Sequence, residues 1–209
     1  MSAYFVTGTG TGVGKTFTTC ALLHAARGCM KGYKPVISGF GVGDCDTTQI
    51  IEAQGSGTIE EISPWRFAAP LSPDMAAARE NRQLGLEELV GWTKSITAPA
   101  LIETVGGLMV PLNATHTTRD WMQACNLPLI MVTGSYLGAL SHTLTTIEAA
   151  RAANLTIAAL VINESCESVD LEETKKSLAH HARIPLILAQ PRVASYRDAT
   201  VIHGLMEQL

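Results

Sequence analysis

The chain has no C-x-x-C pair and no histidine at metal-ligand spacing, although it contains five cysteines among its 209 residues. An odd number of scattered thiols disfavours both a disulfide framework and a zinc site, and it is typical of a reducing compartment. The chain also lacks a long apolar run and a basic N-terminal segment. We therefore expect no signal peptide, no transmembrane span and a cytoplasmic location.

Basic runs are missing as well, and the net charge is −4, so we expect neither nucleic acid nor a membrane surface as the main partner. Aromatic residues make up only 5% of the chain, whereas apolar residues make up 46%. This balance is typical of an α/β protein rich in Ala, Leu and Val. We find no repeat, low-complexity segment or linker, and therefore expect a single domain over residues 1–209.

A glycine-rich loop follows the first apolar run, over residues 4–16. Glycines allow backbone N–H groups to surround phosphates, and a helix N-terminus adds partial positive charge. Lys15 is expected to reach the β- and γ-phosphates of a nucleotide, and Thr16 to hold Mg²⁺. The match to G-x-x-x-x-G-K-[ST] is imperfect, because Thr9 stands at the leading glycine position and Gly8 comes one residue early.

Short apolar runs alternate with helical patterns from end to end. This order predicts a doubly wound α/β fold, in which helices cover both faces of a mostly parallel sheet, and the glycine-rich loop makes it P-loop NTPase-type. We expect residues 64–73 to be irregular because they are rich in proline. The predicted strands are 4–6, 33–37, 100–103, 127–132, 157–162 and 184–188, and the predicted helices are 17–27, 45–54, 74–80, 86–95, 118–125, 139–153, 170–181 and 200–209.

Two acidic residues are expected near the phosphate-binding end of the sheet. Glu103 ends an apolar strand, as the acid of a Walker B element does. Asp46 falls in the first turn of a predicted helix, and Asp44 could either cap that helix or replace Asp46 as a metal ligand. Pro35 keeps Lys34 extended, so this lysine is expected near a strand end that faces the ligand crevice.

Together these motifs resemble the dethiobiotin synthetase family, over most of the chain and most weakly near the C-terminus. The loop is similar to the family's longer G-T-x-T-x-V-G-K-T, which accounts for the early Gly8. The other matching segments are G-Y-K-P-V-I-S-G at residues 32–39, F-A-A-P-L-S-P at 67–73, E-T-V-G-G-L-M-V-P-L at 103–112 and L-G-A-L-S-H at 137–142.

The resemblance implies that ATP, CO₂ and the vicinal diamine 7,8-diaminopelargonate yield a cyclic urea through a carbamate and its phosphorylated form. It implies Mg²⁺ as the cofactor and a homodimer with the substrate site near the interface. The implied catalytic residues are Lys15, Lys34 and Thr11. The implied ligand sets are Gly12, Val13, Gly14, Lys15, Thr16, Asn163 and Pro191 for the nucleotide, Ser38, Gly138, Ala139 and Ser141 for the substrate, and Thr16, Asp46 and Glu103 for the metal.

This chain departs from the family pattern at several positions. Gly10 and Gly12 replace loop acids, Thr104-Val105 replaces Gly-Ala and is expected to crowd the phosphates, and Ser141 replaces Asn. These departures leave open a catalytically impaired nucleotide-binding homologue. A ParA/MinD-like partitioning ATPase is a further alternative, although its signature lysine is absent because Gly10 stands at that position.

Overall fold

A computed structural model describes residues 3–41, 45–166 and 169–208. The strands are β1 (Ala3–Gly8), β2 (Lys31–Tyr33), β3 (Val36–Ser38), β4 (Trp65–Phe67), β5 (Ala100–Glu103), β6 (Leu129–Gly134), β7 (Ile157–Asn163) and β8 (Ile187–Gln190). The helices are α1 (Lys15–Ala26), α2 (Asp46–Gln54), α3 (Ile59–Ile62), α4 (Pro73–Arg79), α5 (Leu86–Ser95), α6 (Thr118–Cys125), α7 (Ala139–Ala152), α8 (Leu171–Ala182) and α9 (Thr200–His203).

The main sheet has the strand order β2-β5-β1-β6-β7-β8, and each neighbouring pair is parallel. Successive side chains of a strand point to opposite faces, so β1 supplies both cores. Phe5 packs into a core with residues of α5 to α8, whereas Tyr4 and Val6 pack with residues of α1, α2 and α9. Both faces of the sheet are therefore covered by helices, which confirms the predicted doubly wound α/β class.

The predicted strand 33–37 is wrong as a single element. The segment divides at Lys34-Pro35: β2 belongs to the main sheet, while β3 pairs in parallel with β4 in a separate two-stranded sheet. Proline cannot donate a backbone hydrogen bond to a ladder, so it favours a break between the two strands. Lys34 therefore lies at the junction between the two sheets and not within a strand.

The expectation that residues 64–73 are irregular is also wrong in part. Trp65–Phe67 forms β4, and the prolines lie outside it at Pro64, Pro70 and Pro73. At the C-terminus, the predicted helix 200–209 is a short α9 followed by a 3₁₀ turn at Gly204–Glu207. Along the described part of the chain, every helix is too short or too polar to cross a bilayer.

Candidate functional site

The glycine-rich loop connects the end of β1 to the start of α1. Gly14 immediately precedes the helix with φ 87°, a left-handed conformation that glycine adopts without steric strain. A Cβ atom at this position would lie 2.4 Å from Nδ2 of Asn163. The sequence therefore requires glycine here for two reasons, one conformational and one steric, and the loop can approach β7 closely.

Lys15 is the first residue of α1, and its side chain is buried against the loop. Its Nζ donates a hydrogen bond of 2.7 Å to the carbonyl oxygen of Gly10. Burial and the nearby ammonium of Lys34 lower the pKa of Lys15 to about 8, although Glu103 and Asp46 act in the opposite direction. Since burial and Lys34 disfavour the charged form of Lys15, an anionic ligand at the loop would stabilise that form.

Lys34 joins the two acidic residues that the sequence predicted as metal ligands. Its Nζ lies 2.5 Å from Oε1 of Glu103 and 2.9 Å from Oδ2 of Asp46. Thr16 donates a hydrogen bond of 2.8 Å from its hydroxyl to the same Oε1 of Glu103. Four of the predicted site residues thus meet at one point. They are Glu103 of β5, Thr16 and Asp46 at the starts of α1 and α2, and Lys34 after β2.

Burial and charge act against each other in this cluster. Lys34 is 3% exposed and Glu103 is fully buried. Burial alone would lower the pKa of Lys34, but the carboxylates of Glu103 and Asp46 hold it above its ordinary value. Burial disfavours the charged form of Asp46, yet the ammonium of Lys34 keeps the pKa of this carboxyl below its ordinary value. Lys34 and Asp46 are therefore both charged at neutral pH.

The donor set suits Mg²⁺, which prefers hard oxygen ligands and usually retains water and substrate phosphates. Thr16 offers a hydroxyl, and Asp46 and Glu103 offer carboxylates. Oε2 of Glu103 is buried and has no hydrogen-bond partner among the described residues, so it is available to a cation. Within residues 3–41, 45–166 and 169–208, no three His, Cys, Asp or Glu side chains cluster as a full metal cage. Asp44, the alternative ligand, lies outside the described residues.

A cleft of about 670 Å³ opens in front of this cluster. Its lining joins the loop residues Thr11 and Gly12 to the charged cluster and to the segment 70–73 after β4. Ser38, predicted to contact the substrate, also lines the cleft, and its buried Oγ has no partner among the described residues. The cleft thus places unpaired polar atoms next to Lys15 and Lys34, as a polar ligand requires.

A second cavity of about 330 Å³ adjoins the other side of the loop. Asn163 ends β7 and donates hydrogen bonds from Nδ2 to the carbonyl oxygens of Val13 (3.0 Å) and Gly14 (3.3 Å). Its Oδ1 is buried and has no hydrogen-bond partner among the described residues. Asn163 therefore fixes the loop with one end of its amide and leaves an acceptor free at the other.

Sequence reasoning missed several residues of this second cavity. Pro191 was predicted, but Phe17, Gln190 and Arg192 were not, although all line the cavity. Gln190 is buried, and its Nε2 donates to the carbonyl oxygen of Pro191. Its position at the carboxyl end of β8, next to Asn163 at the end of β7, is the signal that could have identified it.

The predicted substrate residues around α7 do not line either cavity. Gly138 precedes α7 with φ 98°, Ala139 is buried at its first position, and Ser141 is exposed. Leu137, next to them, is 91% exposed. Within one chain, the structure therefore does not bring this group together with the charged cluster.

Thr104 does not crowd the cleft, contrary to expectation. Its side chain is fully buried and donates a hydrogen bond of 3.0 Å to Oγ1 of Thr7 in β1. Its carbonyl oxygen accepts a hydrogen bond from Lys34 at 3.3 Å. The extra hydroxyl is therefore satisfied within the sheet, and only Val105 of this pair lines the cleft.

The chain is similar to several known proteins. Residues 2–200 match the AAA domain family. An ATP-dependent dethiobiotin synthetase BioD of Methylobacterium nodulans is 42% identical over 90% of this chain and 92% of its own length. The enzyme of the same name from Caulobacter vibrioides is 38% identical over 99% of this chain and 100% of its own. The septum site-determining protein MinD of Pyrococcus horikoshii, solved with Mg-ADP, shares the fold with a TM-score of 0.58 at 16% identity, covering 100% of this chain and 96% of its own.

Proposed function

This chain belongs to the family of ATP-dependent dethiobiotin synthetases, which are ATP-dependent ligases of biotin synthesis, and from that premise we propose its reaction and site. We propose that it uses ATP and Mg²⁺ to close a cyclic urea on 7,8-diaminopelargonate with CO₂, giving dethiobiotin. The observation that carries this proposal is the pair of buried lysines in one cleft. Lys15 suits a nucleotide phosphate, and Lys34 lines the same cleft, where a second anionic group would compete with Glu103 and Asp46 for its ammonium.

The proposed sequence has three steps. One amine of the substrate adds to CO₂ and loses a proton, giving a carbamate. A carbamate oxygen then attacks the γ-phosphorus of ATP, the bond to ADP breaks, and a carbamic-phosphoric anhydride forms. The second amine attacks the carbonyl carbon and loses a proton, phosphate leaves, and the ring closes.

The residues of the cleft would serve this chemistry mainly by position and charge, as phosphoryl transfer requires. Lys15 would bridge the γ-phosphate and the carbamate, and Lys34 would stabilise negative charge on the carbamate during transfer. Thr11 and Ser38 would donate hydrogen bonds to the same group. Thr16, Asp46 and Glu103 would hold Mg²⁺, which when bound neutralises charge on the β- and γ-phosphates.

The second cavity is the proposed site of the purine. Gly12, Val13 and Gly14 would surround the phosphates with backbone N–H groups. The free Oδ1 of Asn163 can accept a hydrogen bond from an exocyclic amine such as that of adenine, and Pro191 would line the base. An acceptor at this position favours ATP over a nucleotide whose base presents a carbonyl there.

A homodimer would complete the site. We propose that Gly138, Ala139 and Ser141 of one subunit bind the substrate carboxylate in the cleft of the other, because the start of a helix favours an anion. The exposed Leu137 and Leu140, 91% and 39% accessible, supply apolar area at the same place. We further propose that residues 1–209 form one domain and that the enzyme works in the cytoplasm, where its free cysteines stay reduced.

The deciding experiment supplies purified protein with diaminopelargonate, bicarbonate, MgCl₂ and ATP, and measures dethiobiotin by mass spectrometry and ADP by a coupled assay. We expect ADP formation to require the diamine and to match dethiobiotin in amount. ATP hydrolysis that proceeds equally without the diamine would contradict the synthetase proposal and favour a partitioning-type ATPase. Nucleotide binding with no turnover would favour an impaired homologue.

A further inference from the structure

Lys34 occupies the place where the proposed metal ligands converge. Its ammonium contacts Asp46 and Glu103 at 2.9 Å and 2.5 Å, and Thr16 donates to the same oxygen of Glu103 at 2.8 Å. Thr16, Asp46 and Oε1 of Glu103 are therefore engaged by one another or by Lys34, whereas Oε2 of Glu103 has no hydrogen-bond partner among the described residues. The ammonium of Lys34 is thus the group that neutralises the buried carboxylate of Glu103 and the half-exposed carboxylate of Asp46.

This arrangement has a clear electrostatic reason. A buried carboxylate such as that of Glu103 is very unfavourable without a counter-charge, and removing its partner leaves that charge uncompensated. Lys34 supplies this charge and keeps the two carboxylates close together. It thereby preserves the shape of the site in the absence of a divalent cation.

The same contacts are incompatible with direct metal coordination. Mg²⁺ binds oxygen at about 2.0–2.1 Å. An ammonium that already contacts both carboxylates would then lie only a few ångströms from a divalent cation, where the repulsion is strong. Thr16 must also turn its hydroxyl proton away from Glu103 before its oxygen can bind a cation. Lys34 must therefore leave the carboxylates when the cation enters.

The backbone around Lys34 is fixed, so only its side chain needs to move. Its N–H donates a hydrogen bond of 3.0 Å to the carbonyl oxygen of Ile62. Its carbonyl oxygen accepts a hydrogen bond of 2.6 Å from Oγ of Ser63, a buried side chain. The four methylenes of the side chain can swing the ammonium within the cleft, which Ser38 also lines.

We propose that Lys34 is an exchangeable internal counter-ion: it holds Asp46 and Glu103 until a nucleotide-bound divalent cation displaces it into the cleft. This inference rests on the proposed assignment of Thr16, Asp46 and Glu103 as metal ligands. It implies that the free protein binds a bare divalent cation weakly, because the cation must displace Lys34 without help from phosphate oxygens. It also implies that Lys34 is released to the carbamate only when the metal is in place.

The test measures Mn²⁺ binding to the nucleotide-free full-length protein, from the EPR signal of free Mn²⁺ at about pH 7.5. We expect Lys34→Met to bind Mn²⁺ at least about tenfold more tightly than the wild type, since the competing ammonium is gone. Lys34→Arg retains the charge and should bind as weakly as the wild type. Lys15→Met is the matched control. It removes the same charge from an ammonium that contacts Gly10 instead of the carboxylates, so the gain in Mn²⁺ affinity should be clearly smaller than in Lys34→Met.

Two results would overturn the inference: Mn²⁺ binding by Lys34→Met no tighter than that of the wild type, or an equal gain in Lys15→Met. Circular dichroism establishes that each variant is folded. If Lys34→Met fails to fold, Lys34→Gln, which keeps a hydrogen-bond donor for Glu103, takes its place with the same expected gain. The assay contains no nucleotide or diamine, so its failure and the absence of dethiobiotin formation are independent outcomes.

Discussion

Lys15 and Lys34 line the same cleft, yet their surroundings shift their pKa values in opposite directions. Burial and the ammonium of Lys34 lower the pKa of Lys15 to about 8, and its hydrogen-bond acceptor is the neutral carbonyl of Gly10. Lys34 is buried more completely, but two carboxylates raise its pKa. At the residue scale, the first lysine has charge available for a ligand, whereas the charge of the second is already paired.

Replacing Lys34 should therefore affect chemistry far more than nucleotide binding. We expect Lys34→Ala to lower diamine-dependent turnover by about 10²–10³-fold, as the loss of one preorganised charge contact does. The affinity for ADP, measured by calorimetry without a divalent cation, should stay within about threefold of the wild-type value. Equal losses of turnover and ADP affinity would identify Lys34 as a nucleotide anchor instead.

The low pKa of Lys15 predicts proton uptake when a nucleotide binds. Phosphate stabilises the charged lysine, so the pKa in the complex lies above its value of about 8 in the free protein. At about pH 8.5 the free protein has lost part of this proton, and binding must restore it. Calorimetry of MgADP binding in buffers of different ionisation enthalpy should therefore detect proton uptake, and affinity should fall as the pH rises through about 8.

Lys15→Arg is the control for this prediction, because a guanidinium stays protonated across this range. Binding to this variant should show no uptake of protons at about pH 8.5. Uptake of the same size in both proteins would assign the proton to another group.

At the scale of elements, the loop before α1 depends on contacts that are distant in sequence. Asn163, at the end of β7, donates to the carbonyl oxygens of Val13 and Gly14. The glycines of the loop therefore differ in how much space a side chain would have. A Cβ at Gly14 would meet Asn163, whereas one at Gly12 or Gly10 would meet nothing within 4 Å. β7 therefore limits which loop positions tolerate a side chain.

Three alanine substitutions separate backbone strain from steric clash in this loop. Gly10→Ala should be nearly neutral, and Gly12→Ala, at φ 76°, should lower the free energy of unfolding by about 1–2 kcal/mol. Gly14→Ala combines a positive φ with the clash, so it should cost more and also weaken ADP binding. Urea denaturation and calorimetry measure both effects.

Asn163→Ala provides the complementary test of the clash. In the Gly14→Ala background it should recover part of the lost stability, because the atom that the new Cβ meets is removed. Strictly additive effects of the two substitutions would show that backbone conformation alone causes the loss of stability in Gly14→Ala.

Elements with strong local signals were predictable, whereas those that depend on a distant partner were not. The bounds of α5, α6 and β5 agree with the prediction, because apolar runs and helix-start residues define them locally. β4 was missed since three residues between prolines become a strand only by pairing with β3. The motifs identified Lys34, Asp46 and Glu103 as neighbours of one cleft, but not the ion pairs that Lys34 forms with the two acids.

At the scale of the whole molecule, one chain contains the cleft but not the complete proposed site. Gly138, Ala139 and Ser141 lie at the start of α7, outside the lining of either cavity. The exposed Leu137 and Leu140 surround them. The proposed carboxylate site is therefore complete only if a second copy brings this surface to the cleft.

Leu137→Glu tests that assembly. We expect size-exclusion chromatography with light scattering to show a dimer for the wild type and mostly monomer for the variant, because a charge replaces a 91% exposed apolar side chain at the proposed interface. The monomer should retain ADP binding and lose diamine-dependent turnover. Met75→Glu adds the same charge at a side chain that is 52% exposed on α4, and should leave both properties unchanged.

A wild-type monomer with full activity would contradict the shared site. So would a Leu137→Glu dimer that has lost turnover, since the defect would then lie within one subunit.

The position of β5 in the sheet has a consequence for the order in which the protein takes shape during synthesis. β5 lies between β1 and β2, although it follows both in sequence by about 70 residues or more. The first 34 residues contain the glycine-rich loop and both lysines. However, β1 and β2 pair with β5 and not with each other, so neither strand has its final neighbour until residues 100–103 insert between them. A nascent chain that stops before β5 therefore carries the whole phosphate-binding motif without Glu103, so ATP cannot be captured at a complete site until nearly half of the protein has been made.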